Sequence, residues 1–105
     1  MGKRLVRDRA LENWVVPGAE HQVRPVHSRI EHGDLLRAKL LEECGEVILA
    51  DGRDELIKEL ADVLSVMQAV AAVNGIGWDQ VQARQLVRDA QSGGFVAGMV
   101  WETSR

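Results

Sequence analysis

Residues 34–73 read DLLRAKLLEECGEVILADGRDELIKELADVLSVMQAVAAV, and the patterning of this stretch decides the fold. In its first half, Leu36, Leu40 and Val47, and beside them Leu35, Leu41 and Ile48, recur at helical spacing. Asp34 is a candidate N-cap, and the helix is expected to run through Ala50. Asp51-Gly52 then reads as a stop, because glycine can take the left-handed conformation beyond a helix end. A second helix is expected from about Asp54 to Val73. Its apolar residues (Leu56, Ile57, Leu60, Ala61, Val63, Leu64, Val66, Met67, Val70) go almost all the way round, which predicts a central, buried helix.

Asn74-Gly75 supplies the next stop, and a third helix is expected from Asp79 to about Gln91, ended by Gly93-Gly94. The tail FVAGMVW has the residue types of a short strand or an extended packing arm. Towards the N-terminus, Val23 to Ile30 is short and mixed and reads as extended, since Pro25 disfavours a long helix. Residues 1–14 are basic with a few apolar positions and suit a short helix or arm, broken by Pro17-Gly18. The fold class is all-α: a helical bundle built on an antiparallel helical hairpin, with a short extended C-terminal tail.

At 105 residues the chain has room for one small core, read as a single domain over residues 1–105. Its 46% apolar and 28% charged residues are ordinary for a globular protein. A net charge of −3 argues against binding a nucleic-acid polymer, which needs a concentrated basic surface. Cys44 is the one cysteine, so an intramolecular disulfide is excluded and a reducing, cytoplasmic compartment fits. No run of about 18 apolar residues occurs, and no membrane span is expected.

Two bursts of acid interrupt the apolar hairpin: Glu42, Glu43 and Glu46, then Glu59 and Asp62. Several negative charges on a half-buried seam are costly unless a cation joins them. Glu43 and Glu46 are three apart, as are Glu59 and Asp62, so each helix can present a carboxylate pair on one face. Counting from Gly52, Glu46 lies six residues before and Glu59 seven after; Glu43 lies nine before and Asp62 ten after. At about 1.5 Å per residue, the pairs Glu46 with Glu59 and Glu43 with Asp62 are nearly level, and four carboxylates can converge. Glu43 shares a stripe with Leu36, Leu40 and Val47, and Glu59 and Asp62 share one with Val66 and Val70. All-oxygen ligation suits Mg²⁺ or Mn²⁺ better than Zn²⁺. A di-iron bundle would want Glu-x-x-His pairs, but Leu49 and Asp62 stand where histidines would be needed. The competing reading makes these acids solvent-facing partners of Lys39 and Lys58.

KLLEECGE (Lys39 to Glu46) followed by KELADVL (Lys58 to Leu64) resembles the E-E-x-x-E … E-x-x-D signature of the MazG-like nucleotide pyrophosphohydrolases. That superfamily includes the phosphoribosyl-ATP pyrophosphohydrolases and the dimeric dUTPases. LVRDRAL (Leu5 to Leu11) resembles the L-V-R-D-x-I-P start of a short single-domain branch, and Gly93-Gly94-Phe95 its R-G-G-F ending. The chain departs from that branch at Ala10-Leu11, where isoleucine-proline is usual, and at Gln91-Ser92, where a Glu-Arg type pair is usual. The resemblance implies a helical homo-oligomer, a dimer or tetramer. It also implies Mg²⁺-dependent hydrolysis of a nucleoside triphosphate to monophosphate and pyrophosphate, such as the clearing of non-standard nucleotides. Carried over by position, Glu43, Glu46, Glu59 and Asp62 would be metal ligands and Glu42 the acid that orients or deprotonates water. The alternatives are hydrolysis of phosphoribosyl-ATP and a non-catalytic helical oligomerisation module.

Phosphates need cations, and Lys39, Arg7, Arg84 and Arg88 are the candidates. Arg84 and Arg88 are four apart on the third helix, and Arg7-Asp8 matches the branch's Arg-Asp. Gly45 inside the acidic helix costs about 1 kcal/mol and permits close helix approach. His21, His27 and His32 read as surface residues, Cys44 as a small packing residue, and Trp14, Trp78 and Trp101 as core or interface packing.

Overall fold

The computed structural model describes residues 2–10 and 23–104. Trp14, Pro17-Gly18 and His21 lie outside the described residues. Three helices and no strand are present among those described: α1 (Arg29–Leu49), α2 (Arg53–Val73) and α3 (Trp78–Ser92). They fall into two compact units, Met1–Gly75 and Ile76–Arg105. None of the helices is long and apolar enough to cross a membrane.

The first unit is the expected all-α hairpin, with α1 packed along α2. The hairpin turn is three residues long, and Gly52 turns it with φ 89° and ψ 165°, a conformation open to glycine. α2 closes on Asn74, whose N–H and side-chain amide both donate to the Val70 carbonyl, and Gly75 follows at φ 70°.

α1 starts six residues earlier than the apolar periodicity suggested. Its N-cap is Ser28, not Asp34: the Ser28 hydroxyl accepts the Glu31 N–H at 3.0 Å. Glu31 in turn accepts the His27 N–H at 2.7 Å, a reciprocal arrangement related to a capping box. Its carboxylate also takes Arg24 at 2.9 Å and Lys3 at 2.8 Å. Hydrogen bonds from Arg24 first, then from Lys3 and the His27 amide, hold the Glu31 carboxyl well below the usual carboxylate range. Pro25 stands clear of the helix, so it did not bar an early start.

The hairpin seam follows the expected stripes. Leu36 is buried, and Leu40, Glu43 and Val47 are half-buried on α1; Glu59 is buried, and Asp62, Val66 and Val70 are half-buried on α2. The expectation that α2 is buried all round is not met. Leu56, Ile57, Leu60, Leu64 and Met67 are exposed, as are Leu41, Ile48 and Leu49 on α1. Among the described residues of this unit α2 has one helix to pack against, and one neighbour covers one stripe of a helix.

In the second unit, α3 begins on Gly77, which has no side chain to cap with; Gln80 compensates by accepting the Gly77 N–H at 2.9 Å. Gly93 ends the helix at φ 76°. The tail is neither strand nor packing arm: Phe95, Val96, Met99, Val100 and Trp101 are all exposed. A strand needs a partner edge to satisfy its backbone, and no described segment supplies one. Trp101 therefore does not serve as core in this chain, whereas Trp78 is half-buried.

The Ser28–Glu31 cap is open to direct test. Ser28→Ala is expected to cost about 1 kcal/mol, read as a lower urea midpoint with an unchanged slope. Glu31 has a depressed pKa, so its stabilisation is present above its ordinary value of 4.5 and fades as pH falls below it. Glu31→Gln should therefore lower stability at pH 7 and flatten the loss of stability on acidification.

Candidate functional site

Helical spacing and the hairpin register together build an acidic centre. Glu43 lies six residues before the last residue of α1, and Glu59 six residues after the first of α2, so the two face each other across the seam. Asp62 is one turn further along α2. Glu43, Glu59 and Asp62 each offer a carboxylate oxygen, and these oxygens all lie within 4.8 Å of one another. Glu59 is 6% exposed, the one charged residue among the buried ones described.

Glu46 and Glu42 stand outside this trio. Glu46 is on the exposed side of the same stripe, and Glu42 is half-buried one residue round the helix from Glu43; both line the cleft that the trio opens into. The register explains the difference from the sequence count. Counting residues through Gly52 treats the turn as helix, whereas Ala50 is extended and Gly52 has a φ of 89°, so neither continues the helical rise. Glu43 consequently meets both Glu59 and Asp62.

Basic side chains surround the acids. Lys39 contacts Glu42 and Glu43, each at 3.3 Å, from a position only 17% exposed. Lys58 reaches Glu59 at 3.2 Å and Asp62 at 3.3 Å. Arg7 donates to Asp62 Oδ1 at 2.6 Å, and Arg4 to Glu42 Oε1 at 3.3 Å. Burial pushes the Asp62 carboxyl up, but the hydrogen bonds and charges of Arg7 and Lys58 outweigh it and hold the group below its ordinary value. Lys58 is raised, chiefly by its hydrogen bond to Glu59 and then by that to Asp62.

The cleft has a volume of about 830 Å³ and is floored by the trio. Arg4 to Ala10 line one side of it, and His32, Leu36, Ser65 and Val66 are among the residues on its walls. Among the polar contributors, Lys58, Arg4 and His32 were not picked out as site residues from the sequence. Lys58 was legible as a partner from its i,i+4 spacing to Asp62, whereas Arg4 and His32 carry no local signal because the tertiary fold brings them in. Arg84 and Arg88 are exposed on α3 in the second unit.

A family model described as phosphoribosyl-ATP pyrophosphohydrolase matches residues 10–86. The chain belongs to that family. The match places it in the MazG-like superfamily and implies pyrophosphohydrolase activity on a nucleotide. The matched span covers all five hairpin carboxylates, Lys39 and Lys58, and reaches Arg84, whereas Arg4 and Arg7 lie N-terminal to it. No curated protein and no solved structure matches the chain significantly.

The donor set of this family member suits a hard cation. Three carboxylates supply oxygen only, and ligands on opposite sides of an ion lie about 4.2 Å apart for Mg²⁺ and roughly 5 Å for Ca²⁺, close to the spread of the trio. Three like charges this close repel by on the order of 3 kcal/mol per pair at an effective dielectric of about 20. Lys39, Lys58 and Arg7 pair with these acids without separating them, so the repulsion among the carboxylates remains as an imbalance until a cation joins them.

That imbalance has a measurable consequence. In metal-free buffer with chelator, Glu59→Gln is expected to be as stable as the unmodified chain or more stable, by about 0.5–1 kcal/mol, in urea unfolding. The same substitution should abolish any rise in melting temperature on adding Mg²⁺.

Proposed function

We propose that the chain is a Mg²⁺-dependent nucleoside triphosphate pyrophosphohydrolase, with Mn²⁺ able to replace Mg²⁺, that releases a monophosphate and pyrophosphate. The observation that carries this reading is the meeting of Glu43, Glu59 and Asp62 beside Lys39, Lys58 and Arg7 in one cleft. Glu43, Glu59 and Asp62 would hold the cation, with Glu46 at the exposed side as a further oxygen ligand. A bound divalent cation supplies neutralisation of the charge on the phosphate oxygens.

Glu42 faces the cleft outside the trio, a position suited to a general base. It takes a proton from the attacking water as the water oxygen bonds to phosphorus. The α–β anhydride P–O bond breaks, and pyrophosphate leaves with the electron pair. Lys39 and Arg7 hold phosphate oxygens in this scheme, and Arg84 and Arg88 are assigned to the triphosphate on their spacing alone. No covalent intermediate is needed.

Phosphoribosyl-ATP is the second reading, favoured specifically by the description of the matching family model. It carries the same type of anhydride bond. Pyrophosphate release measured across standard and non-standard triphosphates and phosphoribosyl-ATP, with Mg²⁺ present, separates the two. Absence of release across the panel, with Mg²⁺ affinity unchanged in Glu59→Ala, would leave a non-catalytic helical module. For an active chain, Glu43→Ala, Glu59→Ala and Asp62→Ala should each lower kcat/KM by on the order of 10²-fold or more, with weaker Mg²⁺ binding. Glu42→Gln should lower kcat by roughly 10²–10⁴-fold while Mg²⁺ affinity stays within about twofold.

The exposed apolar faces of α1 and α2 support a homo-oligomer, dimer or tetramer, because uncovered patches of this kind mark association surfaces. Light scattering should give a mass of at least two chains, and Leu60→Asp should reduce it. A monomer at micromolar concentration would count against this assembly.

A further inference from the structure

Residues 2–10 form a basic strap seated on the hairpin by ion pairs that include Lys3 to Glu31, Arg4 to Glu42 and Arg7 to Asp62. Ala10, only 4% exposed, anchors its end, and the Ala10 N–H donates to the Arg7 carbonyl at 3.0 Å, so the Arg7 backbone is held in a turn at the edge of the cleft. The Arg7 side chain is nevertheless 68% exposed, with room to swing about that fixed base.

Each Asp62 oxygen accepts one hydrogen bond. Arg7 is on Oδ1 and Lys58 on Oδ2, so a cation shared by the trio competes with these two for the charge of the carboxylate. Lys58 also binds Glu59, whereas Arg7 arrives from 55 residues away and has Asp62 as its carboxylate partner. The charges explain why displacement matters. The five basic and six acidic side chains that line the cleft sum to −1. A divalent cation raises that sum to +1, a surplus that attracts a triphosphate. A guanidinium released from a carboxylate presents the planar fork that matches phosphate oxygens.

We infer that Arg7 is an internal counter-cation that holds Asp62 until a divalent cation takes the carboxylate, and then turns to the phosphates of the substrate. Metal loading and assembly of the phosphate site are thereby one event. This inference rests on the reading of the trio as a cation site, and it concerns a residue outside the span that the family model matches.

Calorimetric titration with Mn²⁺ or Mg²⁺ alone, followed by a non-hydrolysable nucleoside triphosphate at saturating Mg²⁺, tests it. Arg7→Ala and Arg7→Gln should bind the metal about two- to fivefold more tightly, because a competing ion pair of about 0.4–1 kcal/mol is gone. Both should bind the triphosphate about tenfold or more weakly. Arg7→Lys should return metal affinity to within about twofold of the unmodified chain and recover triphosphate binding only in part. A purely structural strap would weaken both ligands together. Metal affinity that is unchanged or weaker in Arg7→Ala, in a chain whose metal binding is lost in Glu59→Gln, overturns the inference and leaves the cation site standing. Metal binding that is absent, or unaffected by Glu59→Gln, overturns the cation site itself.

Discussion

Three carboxylates within 4.8 Å of one another, one of them buried, are the constraint to which the rest of the hairpin answers. Such a group raises the energy of the folded state, since each pair repels and burial removes the water that would screen it. The chain answers with cations drawn from three places: Lys39 on α1, Lys58 on α2 and Arg7 from the strap. Stripes of Leu, Val and Ala on either side of the acids keep the helices together despite the repulsion. A folded state that tolerates this cost at one spot is the usual mark of a functional site rather than of a structural core.

Membership of the phosphoribosyl-ATP pyrophosphohydrolase family agrees with that chemistry, since phosphoanhydride hydrolysis is limited by charge and positioning and needs little else from the protein. The hairpin brings the pieces close: carboxylates on facing helices, a further carboxylate around the turn of α1, and basic side chains beside them. The strap adds something the hairpin cannot supply. It brings arginine, with its planar fork, to a place where the two helices offer lysine.

Much of this was legible in residue spacing. The hairpin, the third helix and the seam stripes follow from periodicity and from the glycine stops, because a helix repeats every 3.6 residues whatever surrounds it. The errors have physical causes. Ser28 caps α1 through side-chain hydrogen bonds that start the helix ahead of its apolar stripe, so hydrophobic spacing placed the start at Asp34. The all-round apolar face of α2 predicted burial, yet burial requires neighbours, and the described residues supply α2 with a single packed helix. The FVAGMVW tail has strand-forming residues but no edge to pair with.

The sequence by itself determined which residue types share a helix face: Glu43 with Leu36, Leu40 and Val47, and Glu59 and Asp62 with Val66 and Val70. That is local geometry. Only the tertiary structure decided that Glu43 meets both Glu59 and Asp62 while Glu46 stays apart, and that Arg7 and Arg4 reach across from the N-terminal strap. Those outcomes depend on the non-helical path of the Ala50–Gly52 turn and on a contact between residues 55 apart in the chain. Neither leaves a periodic trace, because closing a loop depends on the packing of the whole and not on the spacing within either part.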